Sequence, residues 1–171
     1  MLHGDRVHTV VCRGSRLPVF FRLAPAHAHD APFAQPLLVA AITLFGVHPH
    51  SVRLDAAYWA PTLITWIHTG LGAVAVLPFN PKRTKNRSCL PPTWTRQQLG
   101  KRRSSERFFG RVSLCFRLQR PPLTGWSTVT RQVALTYSAT IIVALAPAEA
   151  DRPDLIRSPK RVLAHTWEGI L

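Results

Sequence analysis

Fifteen prolines in 171 residues cut this chain into short segments. They exclude a fold made mainly of long unbroken helices, because proline removes a backbone donor and collides with the preceding turn. What lies between the breakers alternates in character. Residues 7–12 (VHTVVC) and 17–23 (LPVFFRL) are β-branched and aromatic, which predicts two strands, and Arg13-Gly14-Ser15-Arg16 between them is a hairpin-type turn. A His-rich polar turn over 24–31 follows. Phe33, Leu37, Leu38, Ala41 and Leu44 recur at helical spacing and Gly46 stands just past them, which predicts a helix over 33–45. Residues 51–56 predict a short strand. Pro61 suits the first turn of a helix that runs to about His68 and ends at Gly70. The continuous apolar run 73–79 predicts a strand buried on both faces. Strands alternating with helices predict an α/β domain.

After Phe79 the character changes. Residues 80–92 are a polar loop punctuated by proline, and 93–118 predict a helix with a break near Gly100, stopped by Pro121 and Pro122. Residues 126–146 predict a long, mostly apolar helix packed beneath the basic one. Its apolar run, 133–146, is broken by Thr136, Tyr137, Ser138 and Thr140 and falls short of the ~20 residues a bilayer span needs, so no membrane partner is expected. From Pro147 onward the chain reads as a tail. Cys12, Cys89 and Cys115 have neither metal-ligand nor redox spacing and read as reduced thiols of a cytosolic protein.

The charge balance is lopsided: 22 Lys and Arg against 8 Asp and Glu, a formal net charge of +14. Such a cation favours polyanions, although arginine excess alone is also what a GC-rich genome produces. The placement of the few acids is more informative. Between Asp55 and Glu149 there is one, Glu106. Around it lie Lys82, Arg83, Lys85, Arg87, Arg96, Lys101, Arg102, Arg103, Arg107, Arg111, Arg117 and Arg120. The plain reading is a charge-relieving pair with Arg102 one helical turn away. The functional reading is a metal-binding carboxylate beside a phosphate backbone held by arginines, the combination phosphoryl chemistry needs. Asp55 ends the strand Val52-Arg53-Leu54-Asp55, and the carboxyl ends of strands are where α/β sheets place ligands. Its plain reading is a cap for the next helix. His27-Ala28-His29-Asp30 has the look of a zinc-site fragment but reads better as a polar turn. Trp59, Trp66, Trp94 and Trp126 could stack bases, with Trp66 belonging to the core. The sequence has no Gly-rich phosphate loop and no Ser or Cys nucleophile with an identifiable base.

Several stretches carry a resemblance. Val7-His8-Thr9-Val10-Val11, Leu23-Ala24-Pro25-Ala26-His27-Ala28-His29-Asp30, Leu54-Asp55-Ala56-Ala57-Tyr58 and Val76-Leu77-Pro78-Phe79-Asn80-Pro81-Lys82-Arg83 are similar to successive parts of bacterial insertion-sequence DDE transposases. The glutamate helix of that family has Tyr, two residues, Arg, three residues, Glu, six residues, Lys. Arg102 and Glu106 fit its middle, and Arg107 and Phe109 fit the run that follows. Leu99 and Ser113 depart from its outer positions, and Gly110 stands near the same face, where a small residue would let a DNA backbone approach.

The resemblance implies an α/β, ribonuclease-H-like mixed sheet flanked by helices, with residues 1–146 a partial DDE catalytic domain and 147–171 a C-terminal tail. It implies DNA transposition, with metal-dependent strand cleavage and transfer on double-stranded DNA at element ends and target. The cofactor would be Mg²⁺ or Mn²⁺ at a two-metal site, held by Asp55 and Glu106 as catalytic metal ligands. Arg102, Arg103, Arg107, Arg111, Lys82, Arg83 and Lys85 would grip DNA, the intact enzyme would form a homo-oligomer, and the location would be the bacterial cytoplasm and nucleoid. The family's first catalytic Asp belongs to a strand before residue 7, so the expectation is a truncated copy without that strand, with an incomplete metal site, poor activity and a tendency to aggregate. The alternative is a non-enzymatic basic nucleic-acid-binding protein. A second rival is a membrane-associated protein anchored through 126–146.

Overall fold

The computed structural model describes residues 4–78, 103–116 and 125–156. The fold is mixed α/β, with two small sheets, one antiparallel and one parallel, and four α-helices among the described residues. The chain divides into two units, one of Met1–Val10 with Val19–Arg103 and the other of Val11–Pro18 with Ser104–Leu171.

Strands β1 (Asp5–Val11) and β2 (Pro18–Pro25) pair as a hairpin. Its tip belongs to the second unit and is closed by the Cys12 N–H donating to the Leu17 carbonyl at 2.9 Å and the Arg16 N–H to the Cys12 carbonyl at 2.8 Å. Arg16 takes φ 59°, the left-handed conformation such a tight connection demands. Residues 26–28 form a turn, with His27 and His29 exposed.

Helix α1 (Ala31–Phe45) presents Ala34, Leu37, Leu38 and Ala41 to the interior at three- and four-residue spacing and stops at Gly46, whose φ of 61° closes the last turn. Strand β3 (Ser51–Arg53), a three-residue 3₁₀ turn (Ala56–Tyr58), helix α2 (Pro61–Leu71) and strand β4 (Val74–Val76) form a βαβ unit. Its strands run parallel in the register Ser51 to Val74, Val52 to Ala75 and Arg53 to Val76. Ala34, Leu38, Val52, Leu63, Ile67 and Ala73 make the core of this unit, with Trp66 packed against it as the sequence suggests.

Two expectations need correction here. Helix α2 does not end at Gly70. It continues to Leu71 and is capped by Gly72 at φ 59°. Gly70 serves another purpose: a Cβ there would stand 3.1 Å from the Trp66 indole, so glycine lets that ring lie along its own helix. Strand β4 is not buried on both faces either. It spans only Val74–Val76 of the predicted run among the described residues, and its burial is uneven: on one face Val74 is 39% exposed and Val76 1%, while Ala75 on the other face is half-buried.

In the second unit, α3 (Arg103–Phe116) and α4 (Trp126–Glu149) follow the predicted helices, the start of the first lying outside the described residues. Phe108 and Val112 are buried on α3. On α4 the buried positions Val133, Thr136, Tyr137, Thr140, Ala144 and Pro147 form one stripe at heptad-like spacing. The Phe108 and Tyr137 rings meet edge to face with centroids 5.6 Å apart. The buried Thr140 hydroxyl donates to the Thr136 carbonyl at 2.8 Å, so its polarity is met within the helix. Helix α4 begins seven residues before the apolar run and passes through Pro147, and at 24 residues it is long and apolar enough to cross a membrane by length and composition. A 3₁₀ turn (Pro153–Leu155) then buries Leu155.

Candidate functional site

Asp55 is placed by the end of β3. Its backbone stays extended (φ −75°, ψ 162°), and its exposed carboxylate accepts the Ala56 N–H at 2.5 Å, capping the 3₁₀ turn. The strand stops two residues short of Asp55, so the acid stands just past the carboxyl end of a parallel strand rather than within it. The capping role weighed from sequence is therefore real, and the position past the strand end is kept as well.

Glu106 lies in the first turn of α3 and is exposed, as is Arg107 beside it. Phe108 turns inward at 0% exposure, so one helix divides cleanly into a docked apolar face and a charged solvent face. Arg111 is half-buried and donates to the Arg16 carbonyl at 3.1 Å. Part of its side chain is thus committed to the hairpin tip, a structural use that sequence reasoning did not foresee. The backbone of Arg103 opens α3, whereas Arg102, Lys82, Arg83 and Lys85 lie outside the described residues. Asp55 belongs to the first unit and Glu106 to the second.

A polar cluster in the first unit escaped sequence reasoning. His8, on β1, is only 2% exposed. Its ring stacks on Phe33 (centroids 4.8 Å, 10° between planes), and its Nδ1 hydrogen-bonds the Tyr58 hydroxyl. Its Nε2, which makes no hydrogen bond among the described residues, faces Asp30 Oδ1 at 3.9 Å. Asp30 is itself paired with Arg6, which also donates to the Ala26 carbonyl at 3.1 Å. That pairing explains why Asp30, at the head of α1, makes no side-chain cap.

Burial pushes the His8 pKa below its usual range, with Asp30 pulling the other way and Arg6 adding to the depression. Burial, with the negative field of Asp30, pushes Tyr58 up to about 12, Arg6 opposing and Asp55 adding a smaller upward push. Both groups are therefore neutral near pH 7. The only hint in the sequence was alternation on β1, which sends His8 to the same face as Val10.

Two-metal chemistry rests on several carboxylates converging on the ions. Among the described residues no group of three or more His, Cys, Asp or Glu side chains could hold a metal ion. One oxygen of Asp55 is already engaged by a backbone N–H. The described donors by themselves fall short of a two-metal centre. No family model, curated protein or solved structure matches the chain.

Proposed function

We propose that this chain is part of the ribonuclease-H-like catalytic domain of a DDE transposase, acting on double-stranded DNA in DNA transposition. The observation that carries the reading is the division of α3: Glu106 and Arg107 stand exposed in its first turns while Phe108 and Val112 are buried. A helix anchored in this way offers an acid and a base to a ligand without disturbing its own packing. The position of Asp55, exposed just past the end of a parallel strand, adds support, because that end of an α/β sheet is where ligands are placed.

In this reading Asp55 and Glu106 would each serve as an acidic ligand for Mg²⁺ or Mn²⁺, and Arg107 with its basic neighbours holds the phosphodiester backbone. The net charge of +14 supplies the sequence-independent attraction, and the working location is the nucleoid.

Fluorescence anisotropy with duplex DNA, with and without Mn²⁺, tests the proposal. Affinity should fall steeply with salt, and Arg107→Ala should lower the salt slope by about 1. Mn²⁺ should strengthen binding, and Asp55→Asn and Glu106→Gln should each remove that gain. Mn²⁺-independent binding that ignores both acids would leave only the basic nucleic-acid-binding alternative. Nicking of supercoiled DNA that stops on Glu106→Gln would show that the chain also cleaves.

A further inference from the structure

The turn that carries Asp55 is too small to hold itself in place. It consists of three residues, closed by the Tyr58 N–H to the Asp55 carbonyl at 3.0 Å and the Trp59 N–H to the Ala56 carbonyl at 3.2 Å. A single 3₁₀ turn has poor hydrogen-bond geometry and no cooperativity to draw on. Something outside the turn must fix its orientation, and Tyr58 is the residue that reaches out of it. Its ring packs against the apolar core, meets the His8 ring edge to face (centroids 5.7 Å apart, 81° between planes), and its hydroxyl bonds His8 Nδ1.

We propose that Tyr58 is a positioning residue for Asp55, and that the buried His8, backed by Asp30, is the fixed point to which it is tied. This rests on the reading of Asp55 as a functional acid.

The proton arrangement follows from the partners. A protonated phenol donates to the Nδ1 lone pair, which leaves the His8 proton on Nε2, directed at Asp30 Oδ1. Both ring nitrogens then face a partner of suitable polarity. Stacking on Phe33 fixes the ring plane, and the Arg6 pair holds Asp30 in place. The neutral states of His8 and Tyr58 agree with this arrangement. The consequence is a chain of contacts from the head of α1, through the interior of β1, to the turn after β3. It ends three residues from the exposed carboxylate.

The test uses the full chain and the variants Tyr58→Phe, His8→Asn and His8→Gln. An asparagine amide oxygen falls near where Nδ1 stands and can still accept from Tyr58. A glutamine amide reaches the Nε2 position and cannot. Amide hydrogen exchange at Ala56, Tyr58 and Trp59 should quicken about tenfold in Tyr58→Phe and in His8→Gln, the change that loss of one buried hydrogen bond brings. It should stay near the parent rate in His8→Asn, while Leu63 and Ile67 of α2 keep their protection in every variant. Mn²⁺-supported DNA affinity should follow the same order.

Unchanged exchange in Tyr58→Phe, or identical behaviour of His8→Asn and His8→Gln, overturns the proposal. If Asp55→Asn leaves Mn²⁺-supported binding untouched, the reading on which the proposal rests is overturned instead, and the exchange data stand apart from that result.

Discussion

The first unit builds an α/β core and then admits a histidine, a tyrosine hydroxyl and a carboxylate beside it. The second docks two helices through Phe108, Val112, Val133 and Tyr137, with the buried Thr140 hydroxyl satisfied by its own helix. The same contrast holds for the two acids. Asp55 is woven into its surroundings by a cap and by a turn tied to the interior. Glu106 stands on the solvent face of a helix that other residues anchor. The difference teaches where substitution is informative: a change at Asp55 also removes the cap of its turn, whereas Glu106 is exposed on a helix whose packing rests on Phe108 and Val112, so the proposed role is read there with less loss of packing.

The largest effect should come from the apolar seam of the second unit. Phe108→Ala removes a fully buried ring in contact with Tyr137, and should cost about 3–5 kcal/mol in denaturant unfolding. Ile67→Ala in the first unit, also 0% exposed, should cost about 2–5 kcal/mol. Exchange measured residue by residue should show each loss greatest in its own unit. Equal acceleration throughout the chain would mean that the two units unfold as one.

A smaller effect separates the units by pH. Burial holds the folded pKa of His8 below its ordinary 6.5. Between that lowered value and 6.5 the unfolded chain takes up a proton that the folded chain refuses. The contribution is whole above pH 6.5 and is lost as pH falls toward the folded value. Protection in the first unit should therefore decline on acidification below 6.5, and His8→Asn should flatten that decline. Protection in α3 and α4 should not respond to the histidine substitution.

The elements of both units were legible in the sequence wherever one local signal sufficed. Gly46 ends α1, Pro61 opens α2, and the hairpin closes over residues 13–16. Gly70 misled because glycine can either stop a helix or make room for a ring, and only the position of Trp66 distinguishes the two. The length of β4 was overestimated because a continuous apolar run does not say where strand pairing stops. The site was legible in part. The position of Asp55 past a strand end follows from its place in the chain, but the Tyr58–His8–Asp30 cluster joins residues 50 and 22 positions apart, and no periodicity reports such a pairing. Arg111 reads as a phosphate-binding cation, and nothing local shows its bond to the Arg16 carbonyl.

Gly110 sharpens the contrast within the second unit. A Cβ there would meet no atom of the described residues within 4 Å, so packing gives no reason for glycine inside a helix. Gly110→Ala should stabilise α3 by about 1 kcal/mol. If the open space serves a DNA backbone, affinity for duplex DNA should fall in the same variant. A gain in stability with unchanged DNA affinity would remove that role for Gly110 while leaving Glu106 and Arg107 in place.

The smallest structural effect should be at the two acids, and there the comparison is most useful. Asp55→Ala loses the cap on the Ala56 N–H and should cost about 0.5–1 kcal/mol, at the lower end for a capping residue because the turn is short. Asp55→Asn keeps an acceptor and should cost less. Glu106→Gln removes a charge from the first turn of α3, where the helix dipole favours an acid, and should cost only about 0.3–1 kcal/mol. Such losses leave the chain folded, so thermal unfolding and DNA binding can be read separately. If both acid-to-amide variants melt close to the parent yet lose the Mn²⁺-dependent part of DNA binding, the lost term belongs to the carboxylate charge and not to the fold. If Glu106→Gln alone keeps that term, the acid on the helix is an ordinary surface residue, and the functional reading rests on Asp55 and the interior that holds it.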